Sequence, residues 1–208
     1  MEKEYLKEEG GITMKRFITF EGIDGSGKST IIREVAQRLK QDSYKVMLTY
    51  EPTDTPIGKT VQTCIQHHTD PFVTTFTFLA DRIQHGHQIS QWLEEDYIVL
   101  CDRYADSTYA YQGVQLTEHM EKPMHWLQEL SDHLIPQPDR TFLFILDPEI
   151  ALQRIQQREA LIPFEQVSFL RKVQDNYLSL ATTKRFRKLD ATETIKTLTD
   201  LCYEDILK

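Results

Sequence analysis

Apolar positions along the chain follow two patterns that alternate. Short runs rich in β-branched and aromatic residues predict strands, at residues 16–21, 45–50, 97–101, 141–146 and 185–189. Apolar residues three and four positions apart predict helices, at residues 28–41, 70–86, 117–134, 148–157, 165–182 and 194–207. Near-continuous apolar strands separated by helices predict a three-layer, doubly wound α/β fold with about five parallel strands. Ligands of such folds bind at the carboxyl ends of the strands.

The 208 residues correspond to one domain. Residues 1–13 are acidic and contain no apolar segment, so we expect an N-terminal tail followed by a domain over residues 14–208. Met14 directly precedes the first predicted strand and is an alternative start site. Residues 157–165, between two predicted helices, are the candidate insert.

Composition excludes several classes of function. The net charge of −8 disfavours a nucleic-acid polymer as partner, because its phosphates would be repelled. No apolar stretch reaches the roughly 18 residues of a membrane-spanning helix. The three cysteines are far apart and form no CxxC pair, which fits a reducing, cytoplasmic location.

Residues 22–29, GIDGSGKS, match the phosphate-binding pattern GxxxxGK[ST] between a predicted strand and a predicted helix. Glycines let backbone N–H groups turn toward phosphate oxygens at the helix N-terminus. Lys28 would reach the β and γ phosphates, and Ser29 would bind Mg²⁺. The motif predicts a P-loop NTPase fold whose nucleotide-binding residues are Gly22, Ile23, Asp24, Gly25, Ser26, Gly27, Lys28, Ser29 and Thr30.

Two residues after the most apolar strand suggest further phosphate chemistry. Asp102 could orient Mg²⁺ or its water, and Arg103 could neutralise phosphate charge. The alternative is an Asp that caps a helix and an Arg on the surface. A guanine-specific GTPase is disfavoured, because the only asparagine, Asn176, is not in an NKxD element.

Four segments occur in the order and at the spacing of one known family. They are FEGIDGSGKST from Phe20, the EP of YEPTDTPIGK from Tyr50, FLADRIQH from Phe78, and DRYADSTYAYQG from Asp102. Together they resemble the thymidylate kinases, P-loop enzymes that phosphorylate dTMP to dTDP with ATP. The resemblance extends from about residue 15 to the end and weakens in the lid at 157–165. It implies ATP and Mg²⁺ as cofactors and a homodimer.

The resemblance also implies residue roles. Phe78 and Arg82, four apart on a helix, would stack on the base and hydrogen-bond a thymine carbonyl. The pattern alone favours a core Phe and a surface Arg, and the resemblance reverses this preference. Ser107 and Tyr111 are also four apart, and Tyr111 beside the sugar would favour deoxyribose. Gln112 offers a donor and an acceptor to a pyrimidine edge, although the same segment could be a polar loop.

Catalytic roles follow from the same resemblance. Arg103 would bind the acceptor phosphate, and Asp24 would position the reacting groups. Lys28, Arg103 and a lid arginine would surround the transferred phosphoryl group. The turn at residues 190–192 lies where the adenine site is expected.

One departure concerns the acceptor. Thymidylate kinases usually carry an Arg before the Glu-Pro that contacts the phosphate of dTMP, and here the residue is Tyr50. Lys59 is a possible substitute. A deoxynucleoside kinase, in which Glu51 acts as base toward a 5′-hydroxyl, is therefore an alternative.

A second departure lies in the lid. Ile162-Pro163 stand where many bacterial members have Asp-Arg. Arg154 and Arg158, four apart, remain available, and Arg158 is the predicted catalytic lid residue. Their alternative role is a solvated helix edge, and a nucleotide-binding protein that has lost catalysis is a further hypothesis.

Overall fold

The structure, a computed structural model, describes residues 14–156 and 167–208. The predicted tail at 1–13, the predicted lid at 157–165 and the predicted catalytic Arg158 lie outside the described residues.

The five predicted strands form one parallel sheet, which confirms the α/β fold. Its order is β2-β3-β1-β4-β5. Tyr50 and Phe20 are both in register with Asp102, so the carboxyl ends of β2, β3 and β1 lie side by side. The bounds of the strands are β1 Arg16–Gly22, β2 Val46–Tyr50, β3 Ile98–Asp102, β4 Arg140–Ile145 and β5 Phe186–Asp190.

Helices cover both faces of this sheet. Side chains of β1 alternate between the two faces of the sheet: Phe17 belongs to one apolar cluster, whereas Ile18 and Phe20 belong to the other. No helix within the described ranges is long and apolar enough to cross a membrane. The helices are α1 Lys28–Gln41, α2 Pro56–Gln66, α3 Pro71–Glu94, α4 Ala105–Gln115, α5 Pro123–Ser131, α6 Pro148–Gln156, α7 Val167–Leu180 and α8 Ile195–Ile206, with a 3₁₀ turn at Leu116–Glu118.

The predicted start of α3 is confirmed and its predicted end is wrong. Asp70 Oδ1 accepts hydrogen bonds from the backbone N–H groups of Phe72 and Val73, at 2.9 and 3.2 Å. The helix continues past Gly86 to Glu94. A Cβ at Gly86 would lie 2.9 Å from Pro136 Cδ, so this glycine permits close packing rather than ending the helix.

Three segments differ from the sequence prediction, and in the first two packing outweighs a weak apolar pattern. The structure shows a helix, α2, that was not predicted; Thr55 caps it and its buried residues are Gly58, Val61 and Cys64. The segment that could be a polar loop is α4, which is almost entirely buried. The single helix predicted over 117–134 is wrong: only the 3₁₀ turn and the shorter α5 form there.

Candidate active site

The phosphate loop has the strained backbone that its glycines predict. Gly22 and Gly25 have φ values of 142° and 80°, which residues other than glycine rarely adopt. A Cβ would also lie 2.5 Å from Phe144 O at Gly22 and 2.5 Å from Ala151 O at Gly25. No acidic residue lies in the first turn of α1, which leaves its N-terminus open to an anion.

Lys28 and Arg103 meet on the carboxylate of Asp24. Lys28 Nζ lies 3.7 Å from Asp24 Oδ1, the Arg103 guanidinium donates to the same oxygen, and Tyr111 donates to Oδ2 at 3.1 Å. Partial desolvation opposes ionisation of Asp24, but the charges of Arg103 and Lys28 outweigh it and lower its pKa to about 2. Asp24 is therefore an anion that places both cations beside the phosphate loop.

Arg103 is held in a strained conformation directly after β3. Its φ is 69°, its N–H donates to Phe20 O at 3.0 Å, and its Nη1 donates to Ser107 Oγ at 3.1 Å. A non-glycine residue at positive φ costs about 1 to 3 kcal/mol and persists only where its surroundings fix it. The structure thus excludes the alternative of an unconstrained surface Arg.

Glu21, which the sequence prediction missed, fixes this turn. The carboxylate accepts hydrogen bonds from Tyr104 N at 2.7 Å, Ser107 Oγ at 2.6 Å and Tyr177 Oη at 3.0 Å. Burial, followed by the charge of Asp106, raises the pKa of Glu21 to about 7. The signal in the sequence was a lone carboxylate inside an apolar strand, immediately before the phosphate loop.

An apolar cavity lies between α3 and α4, beside the phosphate loop. It has about 720 Å³ of empty space, including the part open to solvent. All of the predicted substrate residues line it. They are Glu51, Phe78, Arg82, Arg103, Ser107, Tyr111 and Gln112.

Arg82 is buried, which overturns the alternative of a surface Arg. Its Nε donates to Glu51 Oε2 at 2.8 Å and its Nη2 donates to Thr108 Oγ1 at 2.9 Å. Burial opposes the charge of Arg82, but Glu51 raises its pKa. Its Nη1 is buried with no hydrogen-bond partner in the part of the chain that the structure describes. A buried donor without a partner is costly, so this atom is a candidate contact for a bound ligand.

Glu51 is engaged by both of its oxygens. While Oε2 accepts from Arg82, Oε1 lies 3.0 Å from His85 Nδ1, and His85 Nε2 lies 2.8 Å from Thr49 Oγ1. His85 was also missed from the sequence, although it follows Arg82 by three positions and so shares its helix face. The arrangement fixes the orientation of Arg82.

A second, more polar cavity lies between α1 and the ends of β2 and β3. It shares Asp24, Glu51 and Arg103 with the apolar cavity, so the two join at these residues. The predicted metal ligands Ser29 and Asp102 both line it. Asp102 Oδ1 is buried and has no hydrogen-bond partner among the described residues.

These oxygens suit Mg²⁺, which is bound by few protein oxygens and keeps several waters. Within residues 14–156 and 167–208, no group of three or more His, Cys, Asp or Glu residues forms a metal-binding cluster. The donor set therefore fits Mg²⁺ shared with phosphates rather than a metal enclosed by the protein.

The remaining predicted residues have varied surroundings. Ser26 Oγ is buried without a partner among the residues described, whereas Ser29 and Thr30 are exposed at the start of α1. Lys59 is exposed on α2 and lines neither cavity, so the structure does not support it as a substitute cation. Arg154 Nη1 lies 3.4 Å from both Gly25 O and Ala191 O, which connects the phosphate loop to the turn at 190–192.

A phosphate loop between β1 and α1, joined through Asp24, Glu51 and Arg103 to an apolar cavity, defines the class of P-loop nucleotide kinases. The model of one family within this class, thymidylate kinase, matches residues 20–201. The chain belongs to the thymidylate kinase family, whose members are phosphotransferases that use ATP as phosphoryl donor.

Curated relatives agree with this family. The chain is 42% identical over 184 residues to a probable thymidylate kinase of Methanococcoides burtonii, which covers 87% of this chain and 90% of the relative. It is 40% identical over 181 residues to that of Methanosarcina barkeri, covering 85% and 88%. For Pyrobaculum calidifontis the values are 39% over 178 residues, with coverage of 84% and 87%.

Proposed function

We propose that the protein transfers the γ-phosphoryl group of ATP to dTMP and forms dTDP. Family membership and the names of the relatives support this reaction. The observation that carries the choice of acceptor is the buried, unpartnered Nη1 of Arg82 in the cavity that Phe78 also lines. A planar base with a carbonyl oxygen would stack on Phe78 and accept a hydrogen bond from Nη1.

The catalytic residues would act mainly by positioning and charge neutralisation. The backbone of residues 22–30 holds the donor phosphates, and Lys28 contacts the β and γ groups. Arg103 binds the acceptor phosphate, while Asp24 holds Lys28 and Arg103 in place. Mg²⁺, when bound, neutralises donor phosphate charge, and its ligands from this chain are Ser29 and Asp102. Arg158 would complete the cation set from the lid.

Sugar and base selection would come from α4. Tyr111 donates to Asp24 and lines the apolar cavity, where its ring beside the sugar would disfavour a 2′-hydroxyl. Gln112 Nε2 lies 3.3 Å from Gln115 Oε1, so its side-chain oxygen is available to a pyrimidine edge.

The alternative of a deoxynucleoside kinase requires Glu51 to accept a proton from a 5′-hydroxyl. Both Glu51 oxygens are already bound by Arg82 and His85, an arrangement that suits orientation of Arg82 better than proton transfer. The alternative of a catalytically impaired protein is disfavoured, because Lys28 and Arg103 both lie against Asp24 beside the phosphate loop.

The experiment is a profile of ADP release with Mg²⁺ and ATP over dTMP, dUMP, dCMP and thymidine. We expect release to depend on dTMP and to disappear in Lys28→Ala. Phosphorylation of thymidine but not of dTMP would instead establish the nucleoside kinase. Release that is independent of every acceptor and unchanged in Lys28→Ala would indicate a protein without this catalysis.

We further propose a homodimer that acts in the cytoplasm. Val73 and Phe76 on α3 are 49% and 48% exposed, and a second copy of the chain would cover them. The cysteines Cys64, Cys101 and Cys202 are all buried and free, which fits a reducing compartment. Sedimentation of the wild type and of Phe76→Glu tests the dimer. We expect the wild type to sediment as a dimer and Phe76→Glu as a monomer, and a wild type that sediments as a monomer would contradict the proposal.

A further inference from the structure

The polar cavity has one cationic side chain to which no role has been given. Lys28, Ser29, Ile32 and Arg33 all line this cavity from α1. Their spacing of one and four positions places them on one face of the helix. Arg33 therefore lies one helical turn after Ser29, on the face of α1 that lines the polar cavity.

The Arg33 guanidinium is available to a ligand. Lys28 and Arg103 already share the carboxylate of Asp24. Arg33, by contrast, is exposed and forms no ion pair or side-chain hydrogen bond with any residue in the described ranges. It is the cavity's cation with no anionic partner in that part of the chain.

The end of β2 offers this cavity no positive charge. Tyr50, at the end of β2, lines the same cavity, and its hydroxyl donates to Asp54. That hydrogen bond, followed by desolvation, raises the pKa of Tyr50, so the side chain stays neutral. With its proton directed to a carboxylate, Tyr50 cannot supply the attraction that a phosphate dianion needs.

Two phosphate groups must approach one another in this cavity if the proposed function is correct. Lys28 would act on the donor, so among the described residues that line the cavity Arg103 is the one cation assigned so far to an acceptor phosphate of up to two negative charges. We propose that Arg33 binds the acceptor phosphate together with Arg103, one from each side of the cavity. This inference rests on the proposed function and assigns a specificity-determining residue for monophosphates within it.

The test compares Arg33→Ala with Lys40→Ala, which also removes an exposed cation from α1 but lines neither site cavity. We expect Arg33→Ala to raise KM for dTMP about fivefold or more, with KM for ATP changed less than twofold. Lys40→Ala should leave both values unchanged. Adding Tyr50→Arg to Arg33→Ala should lower KM for dTMP again, because the new guanidinium enters the same cavity from β2.

The outcomes separate this inference from the proposed function. If the wild type phosphorylates dTMP and Arg33→Ala has the same KM for it, the Arg33 inference is wrong and the proposed function stands. If Arg33→Ala raises KM for ATP instead, Arg33 acts on the donor and the inference is also wrong. If the wild type accepts thymidine but not dTMP, the proposed function fails, and the role of Arg33 toward an acceptor phosphate fails with it.

Discussion

Arg82 Nε lies 2.8 Å from Glu51 Oε2, and the two side chains are only 1% and 2% exposed. Removing one member of a buried ion pair leaves the other charge without compensation, which costs about 3 to 5 kcal/mol. We expect Glu51→Ala to lower the free energy of unfolding by about this amount, measured in urea. Removing Arg82 as well should cost less than the sum of the single variants, whereas additive losses would show that the pair is not coupled.

Asp81 fixes the turn that carries Glu51 toward the site. Its carboxylate accepts hydrogen bonds from Thr53 N at 2.8 Å, from Thr53 Oγ1 at 2.6 Å and from Thr55 Oγ1 at 3.2 Å. We expect Asp81→Ala to destabilise the protein by about 2 to 4 kcal/mol, because buried donors lose a charged acceptor. The control is Asp54→Ala, at an exposed position of the same turn; an equal loss there would contradict the prediction.

The sheet could be predicted from the sequence because parallel strands covered on both faces are nearly continuous apolar runs. The phosphate loop could be predicted because its glycines and lysine follow from phosphate geometry. The helix α4 could not, since its burial between α5 and α7 arises from tertiary packing of a polar sequence. Glu21 and His85 were missed for a related reason: their partners lie far away in the chain, and no local pattern shows that a buried polar group is satisfied.

Phe78 should contribute to acceptor binding as a stacking platform. It lines the apolar cavity, whereas Phe76, two positions earlier on α3, is 48% exposed and packs against Trp126. Stacking of a base on an aromatic ring contributes roughly 1 to 3 kcal/mol. We expect Phe78→Ala to raise KM for dTMP about tenfold, and Phe76→Ala to change it less than twofold in initial-rate measurements. Equal effects of the two substitutions would contradict the assignment.

The raised pKa of Glu21 makes stability depend on pH in a defined direction. The folded state holds this proton up to a pKa of about 7, whereas an unfolded Glu releases it near 4.5. Below pH 4.5 both states are protonated, and above pH 7 neither is. Between these values the folded state binds more protons than the unfolded state, so stability falls as pH rises. The shift corresponds to a loss on the order of 3 kcal/mol at about 1.4 kcal/mol per pKa unit.

Glu21→Gln isolates this contribution because the amide imitates the neutral carboxyl group at every pH. It can also still accept from Tyr104 N and form hydrogen bonds with Ser107 and Tyr177. The measurement is the urea unfolding free energy of both proteins between pH 4.5 and 8. Contributions common to both proteins cancel in the difference. We expect Glu21→Gln to gain stability relative to the wild type across this range by a few kcal/mol, whereas parallel curves would show that Glu21 is ionised in the folded protein throughout.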